Sequence, residues 1–349
     1  MLKKLIKHSA FTMAEILLSL TIIGVVAAIT LPSLTGNINE RTWNTQRKAL
    51  FSRLSQSVAL MEGIRGYGTI SVGTNGDRSW QKVYSSDTAT EAFLTAGLGK
   101  VLKMNNICNH NNLSDCGLPP QITTIGGGGK ISLSALRHIT GLNSKYSGGN
   151  DTEGTSGIGY LGAAVSTYAA AFETANGESV LVHYNPICKP NQHAHHGANT
   201  STAAYEPIAT MCANFIYDLN GKKGPNTIGK DMGFMTLFFP SDPLVVAPMP
   251  HNNKASSSAT QSEAARICRN LDDSRLPTKD EMASITINKS ILGTVNSSNT
   301  TWEQFNSELL WTATKANAGT AYFLHPRFDT LYTTSTSTQY SVRCVKRDN

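Results

Sequence analysis

The sequence predicts an α+β protein in which a long N-terminal hydrophobic helix packs on an antiparallel sheet, followed by a second α+β module. An apolar run over 11–34 continues as a helical pattern to residue 63, which gives an N-terminal helix over 11–63. Strand-like segments bounded by turn residues then occupy a globular domain over 64–247. A stretch rich in proline, serine and asparagine, 248–261, predicts a linker to the C-terminal module, 262–349.

The composition is typical of secreted or surface proteins. Only 15 % of the residues are charged, whereas Ser, Thr, Asn and Gly are abundant. The formal net charge is +6, and three lysines within residues 1–10 supply half of it. No cluster of Lys and Arg remains elsewhere, so we expect no nucleic-acid partner.

Six cysteines behind a membrane-targeting N-terminus indicate disulfide bonds formed in an oxidising compartment. Six cysteines allow fifteen pairings; simple proximity favours Cys108–Cys116 and Cys188–Cys212, which leaves Cys268–Cys344 to close the C-terminal region. No CxxC pair is followed by a second pair of metal ligands, so a zinc ribbon is not expected.

The chain begins with a basic leader, MLKKLIKHSA (1–10), followed by an apolar segment. As a helix, Phe11–Leu31 would span about 31 Å, roughly one bilayer core, and the preceding lysines place the N-terminus on the cytoplasmic side. A secretory signal cut near VVAA (25–28) and a plain membrane anchor both account for this length. Neither accounts for Glu15, because an unpaired acid at membrane depth costs about 2–3 kcal/mol.

The segment AFTMAEILLSLTIIGVVAAITLP closely resembles the N-terminus of type IV pilins and type II secretion pseudopilins. Glu15 falls at the glutamate position of that family, and Gly24 and Pro32 fall at its helix-loosening positions. The resemblance implies that a prepilin peptidase cleaves between Ala10 and Phe11, and that the new Phe11 amine is N-methylated. The family usually has Gly before the cut, so Ala10 implies slower processing.

The resemblance also implies a partner for Glu15. In a staggered assembly its carboxylate can pair with the Phe11 amine of a neighbouring subunit, so that a costly buried acid sets the register. The alternative is a glutamate that extends to the membrane edge. The implied partners are the prepilin peptidase, other pilin or pseudopilin subunits and, before assembly, the inner membrane, which 11–34 would span. The remaining domains would be periplasmic or extracellular, and assembly would place them in a cell-surface filament.

Beyond the predicted membrane segment, apolar residues recur at helical spacing. This apolar stripe comprises Trp43, Leu50, Leu54, Val58 and Met61. We expect it to pack against the protein's own sheet, in the arrangement of a pilin-like domain.

Strand patterns become clear in the middle of the chain. YAAAFETANGESVLVHY (168–184) predicts a hairpin that turns at its Asn-Gly pair. MCANFIYDLNG (211–221) and MGFMTLFF (232–239) predict two further strands.

The predicted loop between these two strands contains four side chains with oxygen atoms: Asp218, Asn220, Asn226 and Asp231. Oxygen ligands on a tight loop suit calcium, and the resemblance to pseudopilins, some of which hold calcium near this region, supports the same site. Three nearby lysines, Lys222, Lys223 and Lys230, oppose cation binding, and a hydrogen-bonded turn is the alternative.

Four short segments, ICRNL, RLPTKDEM, LWTAT and VRCVK, lie within 262–349. Together they resemble the C-type-lectin-like modules of bacterial surface proteins, which implies a Cys268–Cys344 disulfide. Thr278 and Glu281 predict a capping box at a helix start. A related branch of that fold makes formylglycine with a copper-binding cysteine pair, but the structural disulfide accounts for both cysteines here. No Ser/His/Asp or paired-carboxylate site stands out either, so we do not expect an enzyme.

A loop between the last predicted strands mixes aromatic and polar side chains, as recognition surfaces do. Its candidate ligand-binding residues are His325, Arg327, Phe328, Asp329 and Tyr332. We expect an unidentified surface ligand or glycan there, and an ordinary hairpin tip is the alternative.

Together these features predict a structural subunit, of minor or tip type, in a type IV pilus-like filament with a C-terminal recognition or adhesion domain. Two alternatives remain: a pseudopilin of a type II secretion system, and a membrane-anchored binding protein that does not polymerise. No cofactor is expected apart from the calcium considered above.

Overall fold

The computed structural model of the 349-residue chain describes residues 13–65, 89–127, 129–133, 169–184, 211–238, 245–246, 256–271, 273–288, 292, 294–295, 300–301, 308–325 and 330–346. The chain divides into two compact units, Met1–Gln46 and Arg47–Asn349. Helices occur together with mainly antiparallel sheets, which confirms the predicted α+β class.

Helix α1 runs over Met13–Arg65, 53 residues, and confirms the helix predicted over 11–63. The hydroxyls of Ser19 and Thr21 donate to the carbonyl oxygens of Ile16 and Leu17, one turn earlier in the helix. These polar side chains are therefore satisfied by the helix backbone itself.

The membrane span predicted over 11–34 is not found in the structure. Part of that segment lies outside the described residues, and among those described no helix is long and apolar enough to cross a membrane.

In the second unit, four of the five residues of the predicted apolar stripe are buried, namely Leu50, Leu54, Val58 and Met61. This confirms that the stripe is part of a core. The Arg53 guanidinium forms an ion pair with Glu178, with 2.5 Å between Nη2 and Oε1. Glu178 immediately precedes a strand, so the ion pair attaches this part of α1 to the sheet described next.

Six strands of the second unit form one antiparallel sheet: β1 (Met104–Cys108), β4 (Ala169–Thr174), β5 (Ser179–Tyr184), β6 (Met211–Asp218), β7 (Met232–Phe238) and β8 (Val245–Val246). Their order across the sheet is β1-β4-β5-β6-β7-β8. β4 and β5 form the predicted hairpin, in which Gly177 has a φ of +86° that residues with a Cβ rarely adopt. The strands predicted over 211–221 and 232–239 are confirmed as β6 and β7.

Short elements lie beside this sheet. α2 (Ala89–Ala92) continues into a π turn, Phe93–Gly97, and a 3₁₀ turn, Leu98–Lys100. β2 (Gln121–Thr123) and β3 (Lys130–Ser132) form a separate small hairpin.

The C-terminal region contains β9 (Ser256–Ala259), α3 (Gln261–Arg269), β10 (Ser274–Arg275), α4 (Lys279–Ile287), β11 (Thr294–Val295), β12 (Thr300–Thr301), β13 (Leu310–Lys315), β14 (Thr320–His325), β15 (Thr330–Ser335), β16 (Tyr340–Val342) and β17 (Val345–Lys346). Five of these strands form a sheet in the order β15-β14-β13-β16-β9. β13 and β16 are parallel and the other neighbours are antiparallel. β10 pairs with β17, and β11 pairs with β12.

Both helices of this region start with capping boxes. At α4, the Thr278 hydroxyl accepts from the Glu281 amide and the Glu281 carboxylate accepts from the Thr278 amide, as predicted. Arg275 adds a bidentate ion pair to Glu281, with N–O distances of 2.7 and 2.6 Å. The start of α4 is therefore fixed by the side chain of one glutamate.

The predicted linker, 248–261, is partly a strand. Its residues 256–259 form β9, which pairs with β16 through Tyr340 opposite Ala259. The indole N–H of Trp311 donates to the Ala259 carbonyl at 2.7 Å. Hydrogen bonds to distant residues thus order a segment whose composition indicates flexibility.

The two regions predicted as separate domains share one hydrophobic core within the second unit. The cluster joins Leu181 and Phe234 of the first sheet to Met282 and Ile285 of α4. A buried polar group lies at the same junction: the Asn214 and Asn288 side chains exchange two hydrogen bonds of 2.8 and 3.0 Å.

Two of the three predicted disulfides are confirmed. Cys108–Cys116, the short disulfide, closes a separation of 8 residues, and Cys268–Cys344, the long disulfide, closes 76. Cys188 and the side chain of Cys212 lie outside the described residues, so their pairing stays a prediction.

Candidate functional site

The predicted assembly site at the N-terminus is described only in part. Ala10 and Phe11 lie outside the described residues, so neither cleavage nor methylation has a structural test. Glu15 lies in the first turn of α1, where the helix dipole favours a negative charge, and its side chain is exposed.

Large apolar side chains surround Glu15 on the helix surface. The side chains that are about half exposed or more are Met13, Ile16, Leu17, Leu18, Leu20, Ile22, Ile23, Val25 and Val26. Contiguous exposed apolar surface is typical of contact with other protein or with lipid. One carboxylate within such a surface requires a cation or a polar partner once the surface is covered.

The predicted ligand-binding loop is also described in part. His325 belongs to β14, where its backbone lies opposite Thr330, whereas Arg327, Phe328 and Asp329 lie outside the described residues.

Tyr332 has a structural role that the sequence did not predict. Its ring stacks on Phe323, with 5.7 Å between ring centroids, and Phe323 in turn lies 4.6 Å from the ring of Tyr340. Tyr332 is partly buried against the core of the C-terminal sheet. The ring of Tyr332 is thus in contact with the protein's own core.

The loop between β6 and β7, which we call the polar loop (219–231), contains three of the four predicted calcium ligands, and Asp218 ends the strand before it. Two of the four have another role. The Asp231 carboxylate accepts hydrogen bonds from the amides of Asn226 at 2.8 Å and Thr227 at 2.9 Å. Asn226 has a φ of +49°, and its Oδ1 accepts from the Gly224 amide at 3.1 Å. Asp231 and Asn226 therefore shape the loop, as the hydrogen-bonded alternative predicts.

Asp218 and Asn220 differ from these two. Asp218 is fully buried; its Oδ1 accepts from the Asn220 amide at 3.0 Å, while its Oδ2 has no hydrogen-bond partner in the described part of the chain. The Asn220 amide group donates to the Gly224 carbonyl at 2.8 Å, and its buried Oδ1 likewise lacks a partner there. One buried oxygen atom at the end of β6 and one in the polar loop thus lack a hydrogen-bond partner in the described residues.

Burial raises the pKa of the Asp218 carboxyl from 3.8 to about 7. The negative charge of Asp231 adds to this rise, and the backbone amides of Asn220 and Gly221 oppose it. A positive charge beside Asp218 would offset the cost of burying the ionised carboxylate.

Ser179 belongs to the same group and was missed by the sequence analysis. It lies directly opposite Asp218 on β5, so both side chains project from the same face of the sheet. Ser179 is buried, and its hydroxyl has no hydrogen-bond partner in the described chain. No local sequence signal identifies it, because the β5–β6 register joins segments far apart in sequence.

Glycines keep the space around Ser179 open. A Cβ at Gly117, which follows the short disulfide, would lie 2.5 Å from the Ser179 Oγ. A Cβ at Gly221 would lie 3.5 Å from that Oγ and 3.4 Å from the Gly117 carbonyl oxygen. Three chain segments thus converge on one small polar space.

The three lysines that oppose a cation lie at the surface. Lys222, Lys223 and Lys230 are exposed, so solvent screens their charges. In the described part of the chain, no cluster of three or more His, Cys, Asp or Glu side chains is arranged to hold a metal ion. A cation here would depend on hydroxyl, amide and backbone oxygens in addition to one carboxylate.

A search of models of known protein families finds no match to this chain, and a search of curated proteins finds none either.

Proposed function

We propose that this chain is a structural subunit, of minor or tip type, in a type IV pilus-like filament, and that its C-terminal region is a lectin-like recognition or adhesion module. The proposal is carried by one observation: the N-terminal part of α1 exposes a series of large apolar side chains with Glu15 at its start.

The apolar side chains supply the attraction between subunits. Each such side chain gains about 1.5–3 kcal/mol when it leaves water, so helices of neighbouring subunits bury them favourably against one another. Before assembly the inner membrane would cover the same side chains. The prepilin peptidase would act at this stage, cleaving between Ala10 and Phe11.

Glu15 supplies the register. Inside an apolar bundle its carboxylate is costly unless it is paired, and the amine of Phe11 on the adjoining subunit is the expected partner. A shift along the helix would separate the two charges, so the pair selects one stagger among many that the apolar surface alone would allow.

The second unit supports an extracytoplasmic role. The short and long disulfides are typical of proteins that fold outside the cytosol. The antiparallel sheet that receives the C-terminal part of α1 agrees with a pilin-like domain, and the long disulfide agrees with the pairing expected of a lectin-like module.

Two measurements test the proposal in cells that produce the full chain. Mass spectrometry of the mature protein should give an N-methylated Phe11 as the first residue; a chain that starts at Ile29 or retains Met1 contradicts the proposal. Electron microscopy should show filaments that contain this subunit, and Glu15→Ala should remove the subunit from them.

Glu40→Ala is the matched control, because Glu40 is an exposed glutamate on the same helix. We expect the Glu40 variant to assemble as the unmodified chain does. Mass spectrometry must show that the Glu15 variant is still cleaved, so that failed assembly is not failed processing. Filaments formed by a cleaved Glu15→Ala chain would refute the role of this residue.

A further inference from the structure

We propose that the polar loop, with the neighbouring parts of α1 and β3, forms a surface that binds a negatively charged polysaccharide. The five cationic side chains of this surface, which we call the basic surface, are Arg47, Lys130, Lys222, Lys223 and Lys230. It is distinct from the loop predicted to bind a ligand around 325–332. Binding there is also independent of filament assembly, which concerns the first unit.

The lysines of the basic surface present their charges to solvent. All four are exposed, and in the described part of the chain none of them forms an ion pair. Asp218 and Asp231 lie at the two ends of the polar loop, but both carboxylates are fully buried and accept hydrogen bonds from backbone amides. Asp115, an exposed acid, lies in the loop of the short disulfide. Positive groups still outnumber negative ones in this region.

Hydrogen bonds within the polar loop fix the backbone that carries three of the lysines. The Asn220 side-chain amide donates to the Gly224 carbonyl at 2.8 Å and so encloses the turn 221–223. Lys230 directly precedes Asp231, whose carboxylate holds two amides of the loop. Because this backbone is ordered before any ligand arrives, binding loses less conformational entropy than it would on a flexible loop.

Two other elements bring cations to the polar loop. The Arg47 guanidinium on α1 donates to the Lys230 carbonyl at 3.0 Å. The Thr123 amide of β2 donates to the Asn226 carbonyl at 2.7 Å, and Lys130 of β3 lies opposite Thr123. The Lys130 backbone is therefore about two strand spacings, or about 10 Å, from the polar loop. The fold thus gathers cations from three segments, which is why the sequence alone shows no cluster.

The chemistry of these side chains favours an acidic polysaccharide. Four of the five are lysines, whose compact charges on flexible stems suit repeated acidic groups rather than a single planar acceptor. The polar loop, β2 and β3 contain no aromatic residue, so they offer no ring on which the bases of a single-stranded nucleic acid could stack. A polysaccharide with closely spaced acidic groups requires neither rings nor contacts to base edges. The disulfides also agree with a location outside the cytosol, where such polymers occur.

The test is binding of the full chain, purified in a non-ionic detergent, to heparin, a sulfated polysaccharide. We expect saturable binding at about 50 mM salt and a loss of affinity of about a hundredfold at about 200 mM, because five neutralised charges release counterions. Dextran, which is uncharged, should not bind. Duplex DNA should bind more weakly than heparin at the same salt concentration.

Variants of the polar loop locate the binding surface. Replacing its three lysines together, by Lys222→Ala, Lys223→Ala and Lys230→Ala, should remove most of the binding. The slope of log affinity against log salt concentration should become shallower by about 2–3. Replacing the same three residues by arginine keeps the charges and should preserve binding.

A second triple variant is the matched control, because it removes the same number of positive charges from another part of the surface. It changes three exposed cations of the C-terminal region: Arg269→Ala, Lys315→Ala and Lys346→Ala. This variant should bind heparin as the unmodified chain does.

Three results overturn the proposal. Without saturable heparin binding at low salt, the basic surface is not a polysaccharide site. Equal losses in the two triple alanine variants mean that net charge alone causes binding. DNA bound as tightly as heparin makes a nucleic acid the partner. If the thermal midpoint shows that the polar-loop alanine variant does not fold, Lys222→Gln with Lys223→Gln replaces it, and unchanged heparin binding by that variant also overturns the proposal.

Discussion

The buried pair Asn214 and Asn288 offers a direct test of how the two regions of the second unit depend on each other. Asn214 lies on β6 and Asn288 is the C-cap residue directly after α4, and both are at most 2 % exposed. Their side-chain amides exchange two hydrogen bonds, and the Thr236 hydroxyl donates to the Asn214 Oδ1 at 2.9 Å. Asn288 Nδ2 also donates to the Ser284 carbonyl at 2.9 Å.

We expect each single alanine substitution to lower the free energy of unfolding by more than the contribution of one hydrogen bond. Asn214→Ala removes the donor to Asn288 Oδ1 and leaves that buried oxygen unsatisfied, which costs about 1–3 kcal/mol in addition to the lost packing. Asn288→Ala leaves the buried Asn214 Nδ2 without its acceptor, whereas the Asn214 Oδ1 keeps the hydrogen bond from the Thr236 hydroxyl. The double variant leaves no unsatisfied amide from the pair, so it should be about 1–2 kcal/mol more stable than the sum of the single losses predicts.

Equilibrium urea unfolding of the full chain measures these losses in a double-mutant cycle. Ser258 and Gln339 are the control pair, because their hydrogen bond of 2.8 Å is exposed; we expect a coupling within about 0.5 kcal/mol of zero for them. We also expect one transition, since both regions share a core. Additive losses for the buried pair, within about 0.3–0.5 kcal/mol, or two separate transitions would refute this reasoning.

Two further predictions concern the disulfides and one capping box. Removing the long disulfide by Cys268→Ala with Cys344→Ala should lower the free energy of unfolding by about 4.5 kcal/mol, because it closes a separation of 76 residues. Removing the short disulfide, which closes a separation of 8 residues, should lower it by about 2.5 kcal/mol. Denaturant unfolding measures the stability of the two variants, and equal losses of stability would contradict loop-closure entropy as the cause. Hydrogen bonds from the amide and hydroxyl of Thr260 lower the pKa of the exposed Glu263 carboxyl. Its stabilising effect should therefore be complete above the ordinary pKa of 4.5 and disappear as the pH falls through the lower folded-state value. The thermal midpoint of the unmodified chain minus that of Glu263→Gln should shrink towards acid pH, and a constant difference would count against this role.

Local sequence patterns predicted the elements whose stabilising contacts join residues that are close in sequence. The helical stripe from Leu50 to Met61 placed α1 to within two residues of its observed end. An Asn-Gly pair fixed the β4–β5 hairpin, and Thr278 with Glu281 fixed the start of α4. Each of these signals involves residues no more than a few positions apart, so the sequence alone suffices.

Three features that depend on distant partners were not predicted. β9 is a run of serines and an alanine that becomes a strand through pairing with β16, about eighty residues later. Ser179 joins the polar group around Asp218 through the register of β5 and β6. The junction of Asn214 with Asn288 merges two predicted domains for the same reason. Such contacts depend on which distant segments the fold brings together, and neither composition nor residue spacing encodes this.

The position of β16 affects the order in which the chain can mature. This strand is inserted between β13 and β9, so both of its neighbours are synthesised before it and lie without their central partner until it arrives. A polypeptide that emerges progressively from a ribosome or a translocation pore therefore cannot complete the C-terminal sheet until residue 342 is free. Until then β13 and β9 lack the strand that joins them, so the sheet is incomplete at its centre.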